Sequence, residues 1–241
     1  LAEKHMQIWL ADPRAQAFIE RMDWDGSLDP AEGADYLNVV EQNVGGNKLD
    51  LFQDQDHFLD VRVDGEDAVN ELRVAVTNRT ILPQHRYVMG DSAGLLHGVT
   101  RPMMNVYVPG KAALRSAVPE GELYPMEAGA AAWSGSRPPE YFERGKKVWA
   151  VAFLIPVNES ASVTYNYEVP GVVRESEAGR RVYRLVLQHQ PKVHPEQMVI
   201  RFHLPTGATD VRAPGWKRRN NVLVWERSIR TDLELEVSWQ E

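Results

Sequence analysis

From Asp35 onward apolar and polar residues alternate with a period of two, which argues against a helical fold for most of the chain. Leu59, Val61 and Val63 share a face against Asp60 and Arg62, the turn Asp64-Gly65-Glu66-Asp67 follows, and Leu72, Val74 and Val76 continue against Arg73 and Thr77. This pattern predicts a β-hairpin. Val163, Tyr165, Tyr167 and Val169 alternate with Thr164, Asn166 and Glu168. Leu233, Leu235, Val237 and Trp239 alternate with Glu234, Glu236 and Ser238. Such strands have one wet face. Val148 to Ile155 is apolar without interruption and ends at Pro156, as a central strand covered on both sides would. A single helix is expected earlier: Asp12 is a good N-cap, Pro13 suits the first helical position, Ala15, Phe18, Ile19 and Met22 fall on one face, and Gly26 closes the segment.

The β region contains a candidate repeat. Asn105-Val106-Tyr107-Val108-Pro109-Gly110, followed by Pro119 and Gly121, resembles Phe202-His203-Leu204-Pro205-Thr206-Gly207, followed by Pro214 and Gly215. Each copy has a strand before it (Leu72 to Thr77; Tyr183 to Gln188) and a pair of strands after it (148–155 with 162–169; 222–225 with 233–239). The expected fold class is therefore mainly β: two Ig-like antiparallel β-sandwich units preceded by a short strand–helix segment. The expected divisions are residues 1–34, the strand and capped helix as the tail of an upstream α/β region; 35–173, a first sandwich with long loops at 81–102 and 128–145; and 174–241, a second, smaller sandwich unit.

Composition narrows the function. The net charge of −7 argues against a nucleic-acid partner, whose phosphates call for a surplus of Lys and Arg. That charge is uneven, with 11 basic and 21 acidic residues in 1–127 and 16 and 13 in 128–241. No cysteine is present, which excludes disulfides, thiolate metal sites and a cysteine nucleophile. No apolar run approaches the length of a membrane span, and no secretory signal is legible. The chain opens on Leu1 without a Met start, so a fragment of a longer protein is expected, with any membrane anchor upstream.

A resemblance adds a compartment. Glu3-Lys4-His5 with Asp12-Pro13, the Trp24-Asp25-Gly26 turn, Asp35-Tyr36-Leu37-Asn38-Val39-Val40 and Asn43-Val44-Gly45-Gly46-Asn47-Lys48 resemble the C-terminal portion of the bacterial family called domain of unknown function 4012. Val106-Tyr107-Val108-Pro109 and Tyr167-Glu168-Val169-Pro170 fit the same pattern. The resemblance implies an extracytoplasmic, cell-envelope location behind one N-terminal span, and it implies no catalytic residue.

Several constellations invite chemistry. Gly90-Asp91-Ser92-Ala93-Gly94 matches the G-x-S-x-G nucleophile elbow, but Gly98, Val99, Thr100 and Pro102 break the helix such an elbow needs. Asp50, Asp54, Asp56, Asp60 and Asp64 share one parity. Asp54 and Asp56 are weak calcium candidates, and a solvated acidic edge is the favoured reading. The spacing excludes an EF-hand. Asn43 to Lys48 lacks phosphate-loop spacing and is expected to be a type I′ or similar hairpin turn. The seven histidines form no H-x-H or H-E-x-x-H motif, which leaves only a zinc site built from sequence-distant residues. Two loops set aromatics beside charge, 133–144 and 215–221. There Trp133, Tyr141, Trp216, Lys217 and Arg218 are the expected binding residues, because rings beside hydrogen-bonding groups suit sugar or protein recognition. The bland alternative has Trp133 and Trp216 folding back on their own sandwich.

The expected function is thus a non-catalytic extracytoplasmic β module that binds or scaffolds at the cell surface. Its expected partner is a wall or capsular polysaccharide or another envelope protein, with no cofactor. The competing readings are an envelope hydrolase or transferase with a site near Ser92 or Asp54, Asp56 and His57, and a purely structural stalk.

Overall fold

The structure is a computed structural model that describes residues 3–89, 97–124 and 137–241. Helix α1 (Pro13–Arg21) forms where the N-cap and proline predict it, with the Asp12 carboxylate accepting from the backbone N–H of Arg14 at 3.0 Å and of Ala15 at 2.9 Å. Of its apolar face only Ile19 is buried, while Phe18 and Met22 stay exposed. Residues 3–10 form no strand, a departure from the expected strand–helix lead. Met6 and Trp9 are exposed there, and one backbone bond, from Ile8 N–H to the Trp24 carbonyl at 2.8 Å, holds the segment in place of a ladder.

The strands then run β1 (Asp35–Asn43), β2 (Gln53–Asp64), β3 (Asp67–Asn78), β4 (Pro102–Pro109), β5 (Ala113–Glu120), β6 (Glu122–Leu123), β7 (Glu140–Glu143) and β8 (Lys146–Leu154). They continue with β9 (Ser160–Val169), β10 (Val173–Glu175), β11 (Arg181–Gln188), β12 (Gln197–His203), β13 (Thr209–Arg212), β14 (Lys217–Arg219), β15 (Val222–Ser228) and β16 (Leu233–Gln240). A 3₁₀ turn (Leu49–Phe52) leads into β2 and a short helix, α2 (Arg86–Met89), follows β3.

These strands make a sandwich of two sheets. The first has the order β13-β16-β11-β1-β4-β8-β6, with β10 on β11 and β7 on β8; the second has the order β14-β15-β12-β2-β3-β9-β5. The predicted hairpin is β2–β3, closed at Asp64 and Asp67 with Gly65 at φ 62°. The β8 strand is buried on both faces as expected, yet it is the last long strand of its sheet and only the short β6 and β7 lie beyond it.

The expected mainly β sandwich architecture is present, but the sheets are mixed. Residues 174–241 supply β13-β16-β11 to one sheet and β14-β15-β12 to the other. Parallel pairing of β1 with β11 and of β2 with β12 joins these strands to those of residues 35–173. One core runs through both stretches, from Leu37, Leu72 and Trp149 to Tyr183, Phe202 and Trp239. Residues 27–34 lie against the outer face of the first sheet, where Leu28 and Ala31 pack on Tyr36, Tyr107 and Val148. The Gln188 side chain fixes this cover by donating to the Ser27 carbonyl at 2.7 Å and accepting from Asp29 N–H at 3.1 Å.

A repeat is visible, with other partners than the proline motif suggested. β1, β2, β3 and β4 pass from first sheet to second and back, and so do β11, β12, β15 and β16. The β4 strand thus matches β16, whereas the motif aligned it with β12, which lies in the other sheet. Residues 43–48 are likewise a crossover between sheets. They are not a hairpin turn, because β1 and β2 do not pair.

Candidate functional site

The two crossovers, β1 to β2 and β11 to β12, lie side by side at one end of the sandwich, since the strands they join are paired in parallel. At that end the inward face changes from apolar to polar. On β1 the inward series Leu37 and Val39 ends in Glu41, and on β2 Gln53, Gln55 and His57 precede Leu59 and Val61. His189 continues the parity of Leu185 and Leu187, and Glu196 precedes Met198 and Ile200. Gln53, Gln55, His57, His189 and Glu196 are each buried.

The Gln190 side chain ties the crossovers together: it accepts from Glu41 N–H at 2.7 Å and donates to the Glu41 carbonyl at 2.9 Å. Lys192 Nζ lies 3.5 Å from Glu41 Oε2, which also accepts from the Gln55 amide. His189 Nδ1 stands 3.4 Å from Glu196 Oε1. Asn43 shapes the first crossover by donating to the Asn47 carbonyl at 2.7 Å and to Asp50 Oδ1 at 2.9 Å, and by accepting from Gly45 N–H at 2.9 Å. A cavity of about 210 Å³ opens between the crossovers, with Glu41, Asn43, Asp50, Gln53, Lys192 and His194 on its wall.

Burial sets the charge states. It pushes the Glu41 carboxyl above the usual carboxylate range, against the pull of Lys192, and pushes the Lys192 ammonium below the usual lysine range. It also pushes His57 down to about 4, so this ring is neutral at physiological pH. For Glu196 burial acts upward, but the His189 hydrogen bond and the charge of Lys192 outweigh it and hold this carboxyl low. Among the described residues, Glu41 Oε1, Gln53 Oε1, Gln55 Oε1, His57 Nε2 and Glu196 Oε2 are buried without a hydrogen-bond partner, and Lys192 Nζ and His189 Nδ1 have only their long contacts with Glu41 and Glu196. Buried polar atoms are ordinarily paired, so this concentration at one end marks a place built to meet water or a ligand.

The residues expected from sequence lie elsewhere. Ser92 and Trp133 fall outside the described residues. Tyr141 is on β7, partly exposed, and donates to Asn105 Oδ1 at 3.1 Å. Trp216 is half-buried against the core, while Lys217 and Arg218 are exposed on β14. Tyr141 and Trp216 stand toward opposite edges, near β8 in one sheet and β15 in the other, and are not brought together. Asp54 and Asp56 do share the outward face of β2, where Asp54 pairs with Arg79 at 3.2 Å; His57 points inward, so these three do not converge. No group of three or more His, Asp or Glu side chains is placed to hold a metal ion among the described residues. Sequence reading missed Glu41, Gln53, Gln55, Lys192 and Glu196, and named His189 only among the scattered histidines. Their signal was polar residues at the inward parity of Leu37, Val39, Leu59 and Val61, the parity opposite to the aspartates.

Comparison with family models and with curated proteins gives no match. Among solved structures, the chain is similar to a protein proposed to bind nutrients from Legionella pneumophila, at 9% identity and TM-score 0.36 over 85% of this chain and 72% of that one. It is also similar to an M1 zinc metallopeptidase from Deinococcus radiodurans (15%, TM-score 0.34, 77% and 42%) and to leukotriene A4 hydrolase from Saccharomyces cerevisiae (8%, TM-score 0.40, 82% and 31%). The chain spans less than half of the latter two. Likenesses this distant carry no argument about activity.

Proposed function

We propose that this chain is a non-catalytic β-sandwich recognition module that works outside the cytoplasm, at the cell envelope, and binds its ligand in the polar pocket between the two crossovers. The observation that carries the reading is the cluster of buried polar side chains at this end of the sandwich, where Glu41, Gln53, Gln55, His57 and Glu196 each leave a buried polar atom without a partner. The extracytoplasmic setting rests on the family resemblance alone. Among the described residues no helix is long and apolar enough to cross a membrane. The aromatic loops at Tyr141 and Trp216 would be secondary contacts for a larger envelope partner.

The test is pull-down of purified wall and capsular fragments by the whole chain and by Glu41→Gln, Lys192→Met and Trp216→Ala. Loss of capture with the first two supports the pocket. Capture that survives both and disappears with Trp216→Ala moves the site to the loops. One observation favours a catalytic alternative: burial raises the Glu41 carboxyl while His189 and Lys192 lower that of Glu196, the opposite displacements that an acid and a base require. Release of reducing ends from those fragments, abolished in Glu41→Gln and Glu196→Gln, would replace the binding reading with a hydrolase.

A further inference from the structure

We infer that the pocket recognises two neighbouring hydroxyls of a single neutral sugar residue, with Glu41 and Gln53 as acceptors and Lys192 as donor; this rests on the pocket reading above. The wall presents unlike partners side by side. Glu41 Oε1 and Gln53 Oε1 can only accept, and Lys192 Nζ can only donate. The Glu41 side chain is 7% exposed and Gln53 is 4% exposed, so neither oxygen is satisfied by bulk solvent. A hydroxyl donates and accepts at once, so adjacent hydroxyls can answer a carboxylate and an ammonium 3.5 Å apart without adding net charge.

Other ligand classes fit less well. An anion would meet Glu41 and Asp50 on the wall and Glu196 behind them, against one lysine and the wall histidines His5 and His194. An ammonium group would face Lys192. An apolar group would answer none of the polar side chains of Glu41, Gln53 and Lys192 on the cavity wall. A volume of about 210 Å³ lies below the range of roughly 300–1,000 Å³ for drug-sized ligands and holds about seven waters' worth of liquid, which suits one ring of a chain end. At the mouth Pro191 and Val193, the latter exposed, offer apolar surface to the C–H face of such a ring. His194 is fixed beside them by its 3.1 Å contact with the Leu51 carbonyl.

The experiment is titration of the isotope-labelled 241-residue chain, followed by amide and side-chain resonances, with methyl glycosides of glucose, galactose, mannose and N-acetylglucosamine. Glycine and acetate serve as zwitterionic and anionic controls. We expect one glycoside to bind with a Kd on the order of 1 mM, to shift Glu41, Gln53 and Lys192 signals, and to lose at least about tenfold in affinity when one of two neighbouring hydroxyls is removed. The same loss is expected in Glu41→Gln and in Lys192→Met. The double variant Glu41→Gln/Lys192→Met, which leaves no lone charge, guards against a loss that merely reports unfolding. A free glycoside that binds as well as an oligosaccharide ending in the same residue identifies a single-residue ligand. Binding of the oligosaccharide alone overturns the single-residue assignment. Glycine or acetate shifting the same resonances while no glycoside does overturns the sugar assignment and leaves the pocket standing. If wall fragments are captured and none of these probes perturbs the pocket, both readings fall.

Discussion

A neutral imidazole facing the core end of a charged pocket makes folding sensitive to acid in a defined direction. The folded pKa of His57 is about 4 and its ordinary value is 6.5, so the unfolded chain takes up a proton first as pH falls. The stability from burying neutral His57 is therefore complete above pH 6.5 and is lost between pH 6.5 and about 4, a loss of about 3 kcal/mol. Glu196 and Lys192 both face this ring, the first favouring its protonation and the second opposing it. Glu41 and the buried Asp35, whose carboxyls are raised, act oppositely and stabilise the fold as pH drops. Their effect is common to wild type and His57→Gln, so the difference between the two in urea unfolding should isolate the histidine. Wild type should lose about 3 kcal/mol relative to the variant between pH 7 and pH 4, and parallel pH profiles would refute this. The Glu41–Lys192 pair gives a second residue-scale outcome. Removing either charge leaves the other buried and should cost about 3 kcal/mol in urea unfolding, while the double variant Glu41→Gln/Lys192→Met should recover most of that loss. Additive losses would mean that the two side chains do not interact.

At the scale of elements, what could be read from sequence is what is local. Asp12 with Pro13 announces α1, and alternating Leu59 to Val63 and Leu72 to Val76 around Gly65 announce the β2–β3 hairpin, because capping and turn chemistry are decided within a few residues. The parallel pairs are not local: Asp35 lies opposite Leu185, 150 residues away, and nothing in either strand names its partner. Proline turns end strands in both sheets alike, which is why Pro109 and Pro205 suggested an equivalence that β4 and β12 do not have. The pocket was half legible. Gln53, Gln55 and His57 break the apolar parity of β2, but only the neighbouring crossover shows that Lys192 and Glu196 meet them. The first crossover owes its shape to Asn43, whose amide bonds to Gly45, Asn47 and Asp50. Asn43→Ala should cost about 2 kcal/mol in urea unfolding and should weaken ligand capture as strongly as Glu41→Gln does. An unchanged unfolding midpoint would show that the 3₁₀ turn and β2 hold the crossover without it.

At the scale of the molecule, the two stretches expected as separate sandwiches share their sheets and their core. Residues 174–241 place Tyr183, Phe202, Trp225 and Trp239 in the same apolar cluster as Leu37, Leu59 and Trp149. Separating the stretches would bare one long edge of each sheet, at β11 and β12 on one side and at β1 and β2 on the other. It would also split Asp35 from Tyr183, whose hydroxyl donates to Oδ2 at 2.9 Å while Asn70 of the opposite sheet donates to the same oxygen at 2.9 Å. That carboxylate binds both stretches and both layers at the end of the sandwich opposite the pocket. The chain should therefore unfold in one transition, with tryptophan fluorescence and far-ultraviolet circular dichroism coincident in urea. Residues 174–241 expressed alone should show the narrow amide dispersion of an unfolded chain. Two resolved transitions, or a dispersed spectrum from the isolated stretch, would mean that the smaller half carries its own core, and that the pocket between the crossovers is an interface between two domains.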